Sequence, residues 1–448
     1  MPRILYGNFD FEHELECSRY RPTAKLRSLA AQLAPFLIAL AEDGDCLWTE
    51  APLSQSFLRA ASCAGFERVI SVPSPLGEEE ARRAGEEISL PTDNPAASEA
   101  SDWQFTPWGH SHAAQEFATQ NAWSFTAPGP AIVRRVNDRA FAARLEMELG
   151  CNLPGSRHVR SHSEFLEAII VEAEHFQLEP HDFKWVAKSR FGMASRGRIL
   201  GRGTRLDDPS AGWLWKQFDR NESVQFEPWG TADAEFSTQW IIPNFGEPEL
   251  LGWTRILTNP GRSQTGWAYQ TGIDFEASEF SAALPVLRSA IERIAEEGYF
   301  GPAGIDSMLC QLPGSTEPVV RPLQDINARL TMGRLMLEVA RRVAPDSCAV
   351  WLHLPSDWLC RILELNSPQE ADAFYSDNGL SITELLQVES EQCGFYLSED
   401  ARAVLTSPLW LGKLKTARCG VLIASPSDDY LSLQSLAAGL QDVASFHP

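Results

Sequence analysis

Residues 318–329 read Pro-Val-Val-Arg-Pro-Leu-Gln-Asp-Ile-Asn-Ala-Arg, an apolar run that ends in polar residues. About a dozen turn-prone residues separate it from a second apolar run containing Gly304-Ile305-Asp306, so the pair predicts a β-hairpin. Asp325 and Asn327 lie two residues apart and would share one face of a strand, where Asp306 can join them. Mg²⁺ selects such oxygen ligands, so the hairpin predicts a magnesium site, although each acid alone would be an ordinary solvated strand residue.

A predicted strand followed by a glycine-rich loop lies earlier in the chain. Residues 184–188, Lys-Trp-Val-Ala-Lys, alternate with period two, and Gly192, Gly197, Gly201 and Gly203 follow. Glycines let backbone amides approach phosphate oxygens closely. The loop is not a P-loop, because its lysine precedes the glycines. It therefore predicts either a phosphate-binding loop or an ordinary surface hairpin.

A predicted nucleobase pocket lies at Gln225-Phe226-Glu227-Pro228-Trp229-Gly230. A strand that ends in an acid and a proline leaves backbone donors and acceptors beside an apolar wall, as an adenine ring requires. Glu235, a few residues later, could accept hydrogen bonds from ribose hydroxyls. The alternative is a plain strand end with a rigid turn.

Two arginines lie at positions where a neighbouring anion would account for their charge. Arg255 is the lone charge in the middle of the strand-like run from Leu250 to Thr258, and it needs a partner, either a phosphate or a neighbouring acid. Val136-Asn137-Asp138-Arg139 precedes a helical run from Ala140 to Leu149. This motif would cap the helix and place Arg139 near an anion.

The first part of the chain alternates strand-like with helical runs. Strands are predicted at residues 3–6, 46–49 and 68–72, and a helix at Ser54 to Ala64. Such alternation predicts a parallel sheet with crossover helices. Residues 73–102 are acidic and rich in Pro, Ser and Ala, which favours a solvated loop over a functional acidic tail.

The composition is that of a globular enzyme with several domains. The chain has 448 residues, and domains average roughly 150 residues. Its net charge of -22 would repel a polyphosphate backbone, which excludes general nucleic-acid binding. No apolar run is long enough for a membrane span. The nine cysteines are scattered and odd in number, which indicates reduced thiols in the cytoplasm.

In their order along the chain, these motifs resemble the ATP-grasp ligases. The resemblance implies a mixed α/β and α+β fold. A small α/β N-terminal domain over residues 1–125 would precede a two-subdomain ATP-grasp fold over residues 126–345. Residues 346–448 would form a C-terminal extension, which either covers the active site or makes a homodimer contact. The matching features are Asn137-Asp138-Arg139, the lysine strand with its glycine-rich loop, Phe226-Glu227-Pro228-Trp229, Gly304-Ile305-Asp306 and Asp325-Ile326-Asn327-Ala328-Arg329.

The resemblance also implies residue roles around Mg-ATP. Arg329 would stabilise the transferred phosphoryl group or the acyl phosphate. We also predict that Arg255, the charge in the middle of a strand-like run, is a second catalytic arginine. The metal ligands would be Asp306, Asp325 and Asn327. The nucleotide-binding residues would be Lys188, Arg139, Gly192 and Gly197 at the phosphates, Glu227 and the backbone of Trp229 at adenine, and Glu235 at ribose.

For the activity, the resemblance implies a Mg-ATP-dependent ligase. A carboxylate would attack the γ-phosphate to give an acyl phosphate, and an amine or a thiol would capture it, with ADP and phosphate released. The partners would be small-molecule or peptide carboxylates and amines, and the cofactors ATP and Mg²⁺. Two departures, Asp325 for the usual Glu and Arg139 for a phosphate lysine, leave a second hypothesis open, a nucleotide-binding scaffold or sensor without turnover. An ATP-grasp phosphotransferase is the third.

Overall fold

The computed structural model describes residues 1–17, 20–73, 103–192, 197–257, 268–272, 275, 278, 280–392, 400–425 and 430–446. Residues 74–102, most of the predicted acidic loop, and residues 193–196 of the predicted glycine-rich loop lie outside this part of the chain. Within it, no helix is long and apolar enough to cross a membrane. The eight cysteines found there are free thiols.

The secondary structure elements are numbered in chain order. The strands are β1 (Arg3–Tyr6), β2 (Cys46–Thr49), β3 (Ile70–Pro73), β4 (Gln104–Pro107), β5 (Arg157–Val159), β6 (Lys184–Lys188), β7 (Arg198–Arg202), β8 (Val224–Pro228), β9 (Thr231–Ile242), β10 (Glu249–Leu257), β11 (Ala268–Thr271), β12 (Gly301–Gln311), β13 (Pro318–Asn327), β14 (Cys348–Pro355), β15 (Arg402–Leu405), β16 (Trp410–Leu411), β17 (Leu414–Lys415) and β18 (Arg418–Ser425). The α-helices are α1 (Phe11–Glu16), α2 (Ala24–Leu33), α3 (Gln55–Ala64), α4 (His112–Gln120), α5 (Pro130–Val136), α6 (Arg139–Glu148), α7 (His162–His175), α8 (Asp208–Asp219), α9 (Leu284–Glu296), α10 (Met332–Val343), α11 (Ser356–Ile362), α12 (Pro368–Asn378), α13 (Thr383–Gln392) and α14 (Tyr430–Phe446).

The N-terminal strands form a parallel sheet in the order β3-β2-β1-β4. This is the sheet that the alternation of strands and helices predicted, and α3 is the crossover between β2 and β3. The Ser54 hydroxyl caps α3 by accepting a hydrogen bond from the Phe57 N–H at 3.1 Å. The helix stops at Gly65, whose φ of +114° favours glycine.

A small antiparallel sheet in the order β5-β8-β6-β7 follows. It packs with α7 and α8 around an aromatic core that includes Phe165, Trp185 and Phe226. β6 ends at Lys188, and β8 carries Glu227 beside it, because Val186 pairs with Glu227 and Lys188 with Gln225. The predicted lysine strand is thereby confirmed, and the register places the side chains of Lys188 and Glu227 on the same face of the sheet.

The central sheet has eight strands in the order β13-β12-β9-β10-β11-β14-β18-β15. β12 and β13 are the predicted hairpin and pair antiparallel. On one face of this sheet, Phe236 packs against Phe280 with ring centroids 4.0 Å apart. The opposite face carries polar side chains, among them Ser237 and Asp306.

The segment after residue 345 belongs to the same central sheet. β14 pairs directly with β11, and β18 and β15 follow it. The strands that follow the predicted boundary at residue 345 therefore continue the central sheet. The physical reason is that β14 satisfies the backbone hydrogen bonds along the edge that β11 would otherwise expose.

Candidate functional site

The three predicted metal ligands converge on one face of the central sheet. Asp306 of β12 lies directly opposite Asp325 of β13 and opposite Ser237 of β9, while Asn327 is opposite Gly304. Directly opposed residues of antiparallel strands have Cβ atoms about 4.5–5.5 Å apart on the same face. Asp306 Oδ2 accepts a hydrogen bond from Asn327 Nδ2 at 3.0 Å, and its Oδ1 accepts from the Ser237 hydroxyl at 2.6 Å.

The two carboxylates of this group repel each other. Burial raises the pKa of Asp306 to about 6, and the charge of Asp325 adds to this rise, while the Ser237 hydrogen bond opposes it. The Asp325 side chain is more open, with 35% of its area exposed. Like charges opposed across two strands are destabilising unless a cation lies near them.

The donor set fits a hard divalent cation. Two carboxylates and an amide oxygen are the ligand types that Mg²⁺ takes, usually with water and phosphate oxygens completing the shell. No three His, Cys, Asp or Glu side chains in the described ranges are grouped as a metal site by themselves. The amide of Asn327 and oxygens from a bound phosphate would therefore be needed with Asp306 and Asp325.

Lys188 is held by a buried ionic network. Its Nζ lies 2.8 Å from Oε2 of Glu227. Arg321 of β13 binds both oxygens of Glu227 at 3.0 and 2.6 Å, and its Nε donates to Glu146 at 3.1 Å. Burial would raise the pKa of Glu227, but the charges of Arg321 and Lys188 outweigh it and hold that pKa well below its usual range. Burial in turn lowers the pKa of Lys188, against the attraction of Glu227.

The residues predicted to contact adenine, Glu227 and Trp229, make hydrogen bonds within the protein. The carboxylate of Glu227 accepts from Lys188, Arg321 and Gln225, so its oxygens are engaged inside the protein. The N–H of Trp229 donates to the carbonyl oxygen of Lys184 at 2.9 Å, as a continuation of the β6–β8 pairing. Glu227 is thus the acid that holds Lys188, and the Trp229 amide is already satisfied.

Glu235 lies on the same sheet face as Asp306. It pairs with Met308 of β12, two residues beyond Asp306, and with Ile256 of β10. Burial raises the pKa of Glu235, and the charges of Arg198 and Lys188 oppose this rise. Glu235 is therefore within electrostatic reach of the lysine and of the arginine that begins β7.

The predicted helix-capping motif contacts the metal motif. Asn137 Oδ1 accepts from the Ala328 N–H at 2.9 Å. Arg139 Nη1 donates to the carbonyl oxygen of Ser189 at 2.7 Å, and its Nη2 lies 3.3 Å from Oδ2 of Asp325. Arg139 thereby joins the start of the glycine-rich loop to one of the predicted metal ligands.

The ends of the glycine-rich loop support this arrangement. The Ser189 N–H donates to the carbonyl oxygen of Gly197 at 2.8 Å, which closes the loop. Gly197 has a φ of +71°, and a Cβ there would come within 2.5 Å of the Ser189 hydroxyl oxygen. Gly192 lines the cleft described next, and a Cβ at Gly197 would lie 3.4 Å from the Cα of Gly192.

A small cleft lies where these parts meet, and we call it the central cleft. A larger groove of about 470 Å³ between α6 and α9 carries none of the predicted site residues. The side chains and backbone that line the central cleft include Glu12, Asn137, Arg139, Gly192, Asp325 and Asn327.

Arg329 lies beside this cleft and is firmly bound. Its Nε donates to Glu12 Oε1 at 2.6 Å, its Nη2 to Asn327 Oδ1 at 2.8 Å, and its Nη1 to the carbonyl oxygen of Leu330 at 2.9 Å. The motif that predicted Arg329 gave no sign of Glu12, which lies 317 residues away in sequence.

Arg255 does not join the cleft. In β10 it pairs with Phe236 of β9, whereas Thr254 pairs with Ser237. Because successive strand residues face opposite sides of a sheet, Arg255 lies on the face of Phe236, and Asp306 lies on the other. The prediction of a catalytic Arg255 is corrected, since its register turns the side chain away from the carboxylates.

Sequence reasoning missed Arg321, Glu146 and Ser237. Arg321 was a charge inside an apolar run, and a charge in such a place needs a partner, which is the one signal available. The sequence offers no comparable signal for Glu146, which is buried in α6, or for Ser237 in the middle of β9.

No protein-family model matches the chain, and no curated protein matches it significantly. Solved structures do resemble it. An N5-carboxyaminoimidazole ribonucleotide synthetase in its ADP complex has a TM-score of 0.50 and 11% identity, covering 99% of this chain and 97% of that one. A biotin carboxylase from Campylobacter jejuni, in a β-γ-ATP complex, has a TM-score of 0.50 and 10% identity, covering 98% and 95%. The likeness is one of fold, and it confirms the ATP-grasp fold that the ordered motifs predicted.

Proposed function

We propose that this chain, which has the ATP-grasp fold, is a Mg-ATP-dependent ligase. It would activate a carboxylate as an acyl phosphate and join it to an amine or a thiol, with release of ADP and phosphate. The observation that carries this proposal is the convergence of Asp306, Asp325 and Asn327 on one sheet face, with Arg139 joining Asp325 to the glycine-rich loop that begins after Lys188.

The cations around the cleft suit a triphosphate. Phosphoryl transfer depends on positioning and on neutralising the charge that develops on the phosphate oxygens. Lys188, Arg139 and Arg329 come from three different parts of the chain, and each is already anchored by an acid or a carbonyl group. Anchored groups lose little freedom when a ligand binds, so they would act as a preformed phosphate clamp.

The proposed roles follow from these positions. Lys188 and Arg139 would bind phosphate oxygens, and Glu235 would accept from ribose hydroxyls. Asp306 and Asp325 with the Asn327 amide would hold Mg²⁺, which supplies charge neutralisation at the phosphates when bound. Arg329 would stabilise the transferred phosphoryl group or the acyl phosphate. The glycine-rich loop would cover the phosphates and exclude water, which would otherwise hydrolyse an acyl phosphate.

The structural relatives support the proposal of nucleotide binding. The synthetase was crystallised with ADP and the biotin carboxylase with β-γ-ATP, as their names state. Both share the fold over nearly the whole length of this chain. We extend nucleotide binding to this chain on that basis, together with the cations named above.

A specific observation favours a second candidate, a nucleotide-binding scaffold or sensor without turnover. Asp325 is one methylene shorter than the glutamate of the family motif, and Arg139 already lies 3.3 Å from its carboxylate. A ligand set that is partly neutralised by the protein itself would bind metal less strongly. An ATP-grasp phosphotransferase is the third candidate, since it would use the same cleft.

The test begins with calorimetric titration of ADP and of a non-hydrolysable ATP analogue, each with and without Mg²⁺. A panel of carboxylates is then incubated with Mg-ATP and hydroxylamine, which traps acyl phosphates as hydroxamates. The ligase predicts both ADP and hydroxamate, whereas nucleotide binding without ADP would favour the scaffold. A stable phosphorylated product without free phosphate would favour the phosphotransferase.

Matched variants connect the result to the cleft. Asp325→Asn should abolish hydroxamate formation, while Glu317→Gln, an exposed acid of the same hairpin, should leave it unchanged. Failure of the wild-type chain to bind either nucleotide in the presence of Mg²⁺ would end the proposal.

A further inference from the structure

We propose that Glu12 of the N-terminal domain is a positioning residue for the predicted metal motif, which holds Arg329 and thereby orients the amide of Asn327. This role rests on the proposed function, because the motif is that of the same site. It would give the N-terminal domain a direct part in binding the metal–nucleotide complex.

Glu12 reaches the metal motif through a single arginine. It lies in α1 and is buried, with 5% of its area exposed. Its Oε1 accepts from Arg329 Nε at 2.6 Å, and Arg329 Nη2 donates to Oδ1 of Asn327 at 2.8 Å. Glu12 and Arg329, which are 317 residues apart in sequence, thus form with Asn327 one hydrogen-bonded series that ends at a predicted ligand.

The orientation of the Asn327 amide follows from its two neighbours. A guanidinium has only donors, whereas an ionised carboxylate only accepts. Asn327 therefore turns Oδ1 toward Arg329 and donates from Nδ2 to Oδ2 of Asp306 at 3.0 Å. The Asn327 oxygen has two lone pairs, of which Arg329 takes one and leaves the other for a cation. If Arg329 were free to move, the amide could rotate, and this second lone pair would lose its fixed direction.

The N-terminal domain also encloses Arg329. The guanidinium carbon lies 5.9 Å from the ring centroid of Phe11 and 5.6 Å from that of Trp108. Both distances are within the range of cation–π attraction. The carbonyl oxygen of Trp108 also accepts from the N–H of Leu330 at 3.1 Å, which fixes the backbone next to Arg329.

Stability alone does not account for Glu12. Its Oε2 has no hydrogen-bond partner among the side chains and backbone that the structure describes. Burial raises the pKa of the Glu12 carboxyl, and the charge of Arg329 opposes this rise. An unpaired buried acceptor destabilises the fold, and a well-packed apolar residue can often replace a buried ion pair without loss. An acid kept under these conditions is expected to serve the site that it contacts.

The test measures metal and nucleotide affinity separately, with Mn²⁺ and ADP as probes on the full chain. In Glu12→Ala, Arg329 would no longer be held against Asn327, and the Mn²⁺ affinity of the ADP-saturated protein should fall by up to about 10–100-fold, the usual effect of losing a hydrogen-bond partner of a metal ligand. The affinity for ADP without metal should not change. Glu12→Gln keeps an oxygen that can accept from Arg329 and should recover most of the Mn²⁺ affinity.

Two controls separate positioning from a structural role. Glu16→Ala removes an acid of the same helix that contacts Arg220 and His13, and it should leave both affinities unchanged. In an Asn327→Ala background, Glu12→Ala should cost no further Mn²⁺ affinity, because its effect passes through that amide. If Glu12→Ala does not fold, Glu12→Asp replaces it and should give a smaller loss in the same direction.

Several results would overturn the assignment. These are an unchanged Mn²⁺ affinity in Glu12→Ala, an equal loss of metal-free ADP binding, or full additivity with Asn327→Ala. If the wild-type chain binds ADP but the variants do not show the expected losses, only the role of Glu12 is rejected. A wild-type chain that binds no nucleotide rejects the proposed function, and the role of Glu12 with it.

Discussion

Replacing Arg321 by methionine should strongly destabilise the protein. Arg321 is buried, with 3% of its area exposed, and it binds Glu227 through two nitrogens and Glu146 through a third. Methionine is shorter and uncharged, and it would fill the space of the aliphatic part of Arg321. The change therefore removes the cation from two buried carboxylates without opening a large cavity.

The expected magnitude follows from what each acid would retain. Glu227 would keep Lys188 at 2.8 Å, so it would remain partly neutralised. Glu146, with 1% of its area exposed, would lose the cation that binds it at 3.1 Å. Removing one partner of a buried pair costs about 3–5 kcal/mol, because the other charge stays buried without compensation. A native protein is stable by only about 5–15 kcal/mol, so the variant would be close to unfolding.

The dependence on pH adds a second signature. Burial raises the pKa of Glu146, and the charge of Arg321 opposes that rise, so loss of Arg321 raises it further. A carboxyl whose pKa is higher in the folded than in the unfolded state binds its proton preferentially in the folded state. Stability then increases as the pH falls. The loss caused by Arg321→Met should therefore be smaller near about pH 5 than near about pH 8.

The measurement is urea denaturation followed by tryptophan fluorescence at both pH values. Arg341→Met is the control, because that side chain is 69% exposed and Glu338 would keep Arg334 at 2.8 Å as its other partner. Surface pairs contribute about 0–1 kcal/mol. Adding Glu146→Gln to Arg321→Met should restore part of the lost free energy of unfolding. A loss no larger than that of the control, or one that grows as the pH falls, would refute the reasoning.

Three further predictions concern the cleft. Asp325→Ala and Asn327→Ala should each abolish ADP formation while circular dichroism and the melting temperature stay near wild type, and near-normal rates would contradict the assignment. Lys188→Ala should raise the dissociation constant for ADP by about 10–100-fold, since a charged hydrogen bond contributes about 1.5–3 kcal/mol; an unchanged constant in calorimetry would remove Lys188 from the site. Because burial raises the pKa of Asp306 to about 6, protons should compete with the metal, and the Mn²⁺ affinity of the ADP complex should fall steadily as the pH drops below that value. A flat profile between about pH 5 and about pH 7 would show that Asp306 is not a ligand.

Local sequence patterns were sufficient to predict the strands and the motif that contains Asp325 and Asn327. The alternation of apolar and polar residues has a period of two in a strand, so the shared face of Asp325 and Asn327 follows from their spacing alone. The turn-prone residues between the two apolar runs likewise predicted the β12–β13 pairing that the structure shows. Period and turn chemistry act over a few residues, and a single sequence records them directly.

The local sequence does not reveal in the same way which side of the sheet a given strand residue faces. Arg255 was predicted to need either a phosphate or a neighbouring acid as its partner and was named a catalytic residue, but pairing with Phe236 turns it to the opposite side of the sheet from Asp306. A shift of one residue in register reverses every side chain of a strand, and register depends on partners elsewhere in the chain. The pairing of β14 with β11 across the boundary predicted at residue 345 likewise depends on partners that are distant in sequence.

The order of the motifs along the chain was therefore enough to determine the kind of fold and the oxygen side chains that meet in it. Only the tertiary structure brought Glu12 to Arg329, Arg321 to Glu227, and Glu146 to Arg321, across 317, 94 and 175 residues of sequence. Each of these contacts pairs a buried charge with another charge. Burial and pairing depend on the packing of distant elements, which no local spacing encodes.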